Sequence, residues 1–124
     1  KGKLVAVYFS AHWCPPCRAF TPKLVAFRDQ NTADIEVVFV SLDRSQKDKD
    51  TYMTEAQMKW PTVPWRSKSG NALNRQFKVT GIPTLVVLSP KGHLVSAKAR
   101  AEVMTNPDQC VETWKKAAAE TDKQ

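Results

Sequence analysis

Cys14 and Cys17 stand three residues apart in the run Trp13-Cys14-Pro15-Pro16-Cys17. Two thiols at this spacing suit thiol–disulfide exchange or half of a metal site. A helix that begins at Pro15 makes the two thiols unequal. Proline costs nothing at a first helical position, where the backbone N–H has no intrahelical partner anyway. Cys14 then sits at the helix N-terminus, whose positive end stabilises a thiolate. Cys17 lies one turn in, on the apolar stripe it shares with Phe20, Leu24 and Phe27. The expectation is an exposed, acidic Cys14 and a buried, protonated Cys17. Such a pair suits a nucleophile toward a disulfide and a resolving thiol that then attacks the mixed disulfide. The two prolines also remove two N–H groups that could bond to sulfur, so the expected thiolate stabilisation is moderate.

The rival reading is zinc, which takes about four ligands. Cys110, His12 and His93 are the other candidates, but there is no second C-x-x-C and no paired histidine motif. Pro15 and Pro16 also cannot supply the backbone N–H groups that usually satisfy zinc-bound sulfurs. The expectation is no metal and no cofactor beyond a redox-active Cys14–Cys17 disulfide. Two unreactive core cysteines form a third reading, weakened by Trp13 and two prolines, which make a poor core turn.

The elements that must position this pair follow from apolar patterning. Leu4–Ser10 is apolar on both alternating faces, as in a strand buried between helices. A helix is expected over 15–30, bent at Pro22. Ile35–Leu42 reads as a second strand, parallel to the first through a right-handed crossover. Gln46–Met58 reads as a polar helix, Trp60–Trp65 with its two prolines as loop, and Asn71–Phe77 as a short helix. Thr84–Ser89 and His93–Lys98 flank the turn Ser89-Pro90-Lys91-Gly92 and should pair antiparallel. A last helix is expected from Asn106, as cap, with Pro107 at its first position, to about Ala119.

Length and charge bound the rest. The 124 residues suit one domain spanning 1–124, with no apolar run able to cross a bilayer. The net charge of +7 is spread over helices and loops with Asp and Glu interleaved, which argues against a nucleic-acid face. Three cysteines, two of them in one C-x-x-C, are no disulfide scaffold. The chain opens at Lys1 without Met, which reads as a processed or excised piece. Cytoplasm and bacterial cell envelope are both compatible with these residues. A monomer that binds neither nucleic acid nor membrane is expected.

Beyond the dithiol, the run Tyr8-Phe9-Ser10-Ala11-His12-Trp13-Cys14-Pro15-Pro16-Cys17-Arg18, followed by Phe20-Thr21-Pro22, resembles the tryparedoxin and nucleoredoxin branch of the thioredoxin superfamily. The resemblance extends through Val38–Ser41, Asp43, Tyr52, Met58, Trp60, Val63-Pro64, Gly81–Leu85 and Arg100, nearly the whole chain. It implies an α/β thioredoxin fold, a central mixed β-sheet flanked by helices on both faces, with strands ordered second, first, third, fourth. It implies Cys14 as nucleophile and Cys17 as resolving thiol. It implies a substrate-binding surface of Trp13, Ile82 and a cis Pro83; without it, Pro83 reads as an ordinary trans proline and Trp13 equally as core packing. Tyr8 stands where many thioredoxins carry a buried carboxylate, so that proton route is absent. Asp43, Tyr52 and Arg100 match supporting polar residues. An Asp43–Arg100 ion pair and solvated charges on strand ends are equally open.

Departures narrow the resemblance. Leu42 replaces a tryptophan, Arg44 and Lys47 occupy an otherwise acidic stretch, and Lys59 and Pro61 alter the surroundings of Trp60. The cationic dithiol trypanothione is thereby disfavoured as donor. The implied activity is reduction of protein disulfides, with disulfide-containing proteins and a thiol or reductase donor as partners; a redox-switched binding module of the same fold is the alternative. Cys110 reads as a partly buried small residue, with intermolecular pairing as the alternative, and His12 as either a neighbour tuning the nucleophile or a solvated loop residue. Trp60 and Trp65 read as loop packing over the core or a partner-binding loop.

Overall fold

A computed structural model describes residues 2–123. The single-domain reading of 1–124 also takes in Lys1 and Gln124, which lie outside the described residues. Strand β1 (Leu4–Ser10) runs parallel to β2 (Ile35–Ser41), with Val7 opposite Val38. On its other side it pairs antiparallel with β3 (Thr84–Leu88), with Val7 opposite Val86. The short β4 (Leu94–Ser96) completes the sheet antiparallel to β3. The order β2-β1-β3-β4 is the one the resemblance implied.

β1 is the middle of the molecule because both its faces are apolar. Leu4, Ala6 and Tyr8 face a core built with Phe20, Leu24 and Phe27 of α1 (Pro15–Gln30) and with Trp114 of α5 (Cys110–Asp122). Val7 and Phe9 face a smaller core with Val40, Val86 and, from α3 (Lys68–Gln76), Leu73. The sheet is thus covered on both sides. Each of the three α1 anchors, fully buried, contributes about 1.5–3 kcal/mol. Together they fix α1, and with it the two cysteines of its first turn. The helix runs through Pro22 unbroken to Gln30.

Several boundaries differ from expectation for local reasons. α2 (Gln46–Glu55) stops three residues short of Met58, because Gln57 adopts a left-handed φ of 58° and Met58 N–H turns back to Met53 O at 2.9 Å. Met58 is thereby returned to the core. α3 begins three residues before Asn71, capped by Ser67, whose hydroxyl accepts Gly70 N–H at 3.1 Å. A Cβ on Gly70 would meet Val63 Cγ2 at 3.2 Å, so any larger residue there would have to push Val63 back by a few tenths of an ångström. Asn106 does not cap the last helix. It ends a short helix absent from the sequence reading, α4 (Ala99–Thr105), and its carbonyl accepts the Cys110 N–H that opens α5. The 60–65 loop is pinned along the free edge of β2, with Phe39 N–H on Pro61 O and Val63 N–H on Phe39 O.

α5 continues past Ala119 because Asp122 is tied down. Its carboxylate accepts from Ser89 Oγ at 2.6 Å and from Lys91 N–H at 3.3 Å, and lies 2.7 Å from His93 Nδ1. The Ser89 hydroxyl, with His93 and Lys91 behind it, holds this carboxyl below its ordinary 3.8. A lowered native value means stability that is complete above the unfolded value and lost as pH falls through the native one. Urea midpoints measured at falling pH should therefore drop below about pH 4, and Asp122→Asn should flatten part of that drop. An unchanged slope in the variant would contradict the tether.

Candidate redox site

Cys14 is the N-cap of α1, in extended backbone (φ −100°, ψ 108°), and Pro15 and Pro16 fill the first helical positions. Its sulfur accepts Cys17 N–H at 3.3 Å, the bond an N-cap side chain ordinarily makes. The two sulfurs are joined as a disulfide with a Cα–Cα separation of 5.2 Å. Cys17 is wholly buried, as expected. Cys14, expected to be exposed, is not: only 5% of it is accessible. It is packed among Ala11, Cys17, Leu42 and Ile82, and its sulfur lies 3.8 Å from the Ile82 carbonyl oxygen.

The exposed residue of the segment is Trp13, at 49%. Its indole N–H donates to Leu42 O at 3.2 Å, and the Arg44 guanidinium lies over its ring at 5.5 Å. Trp13 is thus held from the β2 side and presents a face to solvent. On the β3 side, Ile82-Pro83 is a cis peptide bond, with Pro83 buried at the start of β3. Among the described residues no hydrogen bond engages the Ile82 N–H, and Ile82 belongs to the small cluster around the dithiol. The pair therefore lies at the end of β1, between an indole and a proline loop.

A family model described as thioredoxin-like matches residues 2–94. The chain belongs to the thioredoxin-like family. It is 41% identical over 118 residues to nucleoredoxin of Danio rerio, covering 92% of this chain and 28% of that protein. It is 37% identical over 117 residues to tryparedoxin of Trypanosoma brucei brucei, covering 91% of this chain and 80% of that one. A tryparedoxin II solved in complex with glutathionylspermidine superimposes with a TM-score of 0.80 at 38% identity, over 87% of this chain and 76% of that chain. The chain thus spans between 18% and 28% of the nucleoredoxins first among its relatives.

Within this thioredoxin-like chain the supporting polar residues are placed differently from expectation. Asp43 is buried, and its carboxylate accepts His12 N–H at 2.7 Å and Ser41 Oγ–H at 2.6 Å. No ion pair with Arg100 forms among the described residues. The sheet order explains why: Asp43 follows β2 on one side of β1, whereas Arg100 stands on α4 beside Pro83 and Thr84 on the other. The carboxylate instead anchors the turn that carries Trp13 and Cys14. Asp43→Asn removes the charge from both bonds and puts an NH2 donor where Ser41 now donates; it should lower stability by about 1–2 kcal/mol, read as a shift in the urea midpoint. Unchanged stability would remove Asp43 as the anchor.

Tyr52 reaches the dithiol indirectly, through hydroxyls the sequence reading missed. Its OH lies 2.7 Å from Ser10 Oγ and 2.6 Å from Thr21 Oγ1. Thr21 also lies 2.7 Å from Tyr8 OH and donates to Cys17 O at 2.8 Å. The signal for Thr21 was its place four residues after Cys17, on the same buried helix face. Burial, chiefly, pushes the Tyr8 phenol far above its ordinary value, so it stays protonated. His12 turns its ring away from the sulfurs, to Glu55 Oε1 at 3.0 Å and against Tyr52 at 5.4 Å between centroids.

The remaining candidates are structural. Cys110 is buried in the main core, and burial, with Glu102 nearby, pushes its thiol up to about 11. Trp60 is a core residue, and Trp65 donates its indole N–H to Asp43 O at 2.9 Å, so the loop packs inward. Among the described residues no group of three or more His, Cys, Asp or Glu is arranged to hold a metal. No described helix is long and apolar enough to cross a membrane.

Proposed function

We propose that this domain reduces protein disulfides through Cys14 and Cys17. The observation that carries the reading is the pair itself, at the positive end of α1, with Cys14 as the N-cap, 5% accessible, and Cys17 fully sealed in. In the reduced protein the Cys14 thiolate attacks one sulfur of a substrate disulfide. A Cys14–substrate bond forms and the other substrate sulfur leaves as thiolate. Cys17, deprotonated, then attacks Cys14 Sγ, which forms the Cys14–Cys17 disulfide and releases the second substrate thiolate. Two electrons pass to the substrate, and a donor thiol or reductase restores the dithiol.

Trp13, Ile82 and Pro83 form the docking surface in this reading. Trp13 supplies an exposed aromatic face, and the Ile82 N–H is unspent beside the sulfurs. Asp43, Tyr52 and Arg100 support it: the first two position the cysteines, and the third stands at the Pro83 side. A polyamine-bearing thiol such as the glutathionylspermidine of the tryparedoxin II complex is disfavoured as donor here, because Arg44 stands over Trp13. The test is insulin reduction driven by a dithiol reductant. Precipitation of the released chains well ahead of the protein-free control supports the reading; no acceleration, with capture of protein partners retained, supports a redox-switched binding module instead.

A further inference from the structure

Two openings border α4 on the β3 side of the site. A groove of about 500 Å³ is bordered by Pro83, Thr84, Lys98, Arg100 and Met104. A smaller hollow of about 180 Å³ lies between α1 and α4, walled by Pro16, Lys23, Arg100 and Met104. Arg100 and Met104 border both, so the two adjoin across these side chains in a channel that leads from the proline loop, past α4, to the helix that carries the cysteines. Met104 is 46% exposed, an unusual position for a large apolar side chain.

The rim of this channel has one sign. Lys23, Lys98 and Arg100 are all exposed, and none has a carboxylate partner among the described residues. No Asp or Glu lines either opening. The one acidic side chain of α4, Glu102, is turned away to Ser96 Oγ and to Trp114 Nε1–H. An apolar floor with an unpaired cationic border is complementary to an apolar group flanked by anions.

We propose that this channel seats the polypeptide next to the target disulfide. It selects substrate proteins with an apolar residue near the reacting cysteine and Asp or Glu beyond it. The apolar side chain lies on Met104 and Pro83, and the carboxylates meet Arg100, Lys98 and Lys23. The selection rests on Cys14 being the site of exchange, since the channel reaches Pro83, the neighbour of Ile82, whose carbonyl oxygen lies 3.8 Å from that sulfur.

Two synthetic peptide disulfides with the same apolar residue test this, one flanked by glutamates and one by lysines, together with a small neutral disulfide. At low salt the intact protein should reduce the acidic peptide about tenfold faster than the basic one. At about 0.5 M salt that preference should shrink severalfold. The double variant Lys23→Glu, Lys98→Glu should invert it; the ratio is internal to each protein, so loss of fold would lower both rates without inverting them. Equal rates for the two peptides in the wild type at low salt, or an acidic preference that high salt or the double variant leaves intact, would overturn the channel. Reduction of the neutral disulfide without charge preference refutes the channel alone, whereas reduction of none of the three refutes the exchange reading beneath it.

Discussion

Cys14→Ser lowers disulfide reduction by about a thousandfold or more. A serine hydroxyl is not appreciably ionised at neutral pH, so the helix end and the Cys17 N–H that stabilise a thiolate have nothing to act on. Cys17 cannot take over. It is wholly buried beneath the first turn, with Tyr8 and Phe20 in the core behind it, and no substrate sulfur reaches it in line. Cys110 cannot take over either, because it is sealed in the main core with its thiol pushed up to about 11. Insulin reduction under saturating donor measures the effect. A variant that keeps a tenth of the wild-type rate would show that the first attack is not made by Cys14.

Thr21→Val destabilises the protein by about 2–3 kcal/mol, although the shape of the side chain is kept. Each hydroxyl has one proton, which fixes the direction of the buried network. Thr21 donates to Cys17 O, so both tyrosine hydroxyls must donate to Thr21, and Tyr52 in turn accepts from Ser10. Valine removes the shared acceptor. Tyr52 can turn its proton to Ser10, but Tyr8 is left only the Cys17 carbonyl at 3.4 Å, a poor bond for a wholly buried phenol. The Cys17 carbonyl also exchanges its 2.8 Å donor for this distant one, which loosens the turn that carries the second thiol. Urea unfolding should show the loss, and release of the mixed disulfide should slow while the first attack does not. A variant as stable as wild type would mean the hydroxyls are satisfied in another way.

The part of the fold legible in the sequence is the part with strong periodicity. Leu4–Ser10, the Cys17–Phe27 stripe and Ile35–Ser41 are continuous apolar patterns, and they set β1, α1 and β2 within a residue of where they lie. α4 was hidden because it has only seven residues and two buried positions, Ala99 and Val103, too few for a helical stripe to stand out. The end of α5 was misplaced because its last turn is held by Asp122 on the β3–β4 turn, a contact between residues some thirty positions apart. The same limit applies at the site. The N-cap role of Cys14 followed from Pro15 and Pro16, which act locally. The burial of Cys14 did not, because Leu42 and Ile82, from two other elements, close over it. Nor did the partners of Asp43: charge alone suggested Arg100, but strand order puts β1 and the dithiol between them.

The central claim is that Cys14 makes the first covalent bond to a substrate and Cys17 breaks it. Cys17→Ser leaves the first step intact and removes the second. Incubated with a protein disulfide substrate and separated without reductant, this variant should carry the substrate as a mixed disulfide. Peptide mapping by mass spectrometry should place the bond on Cys14, and a dithiol should release it. No adduct, or an adduct mapped to Cys110, would contradict the account.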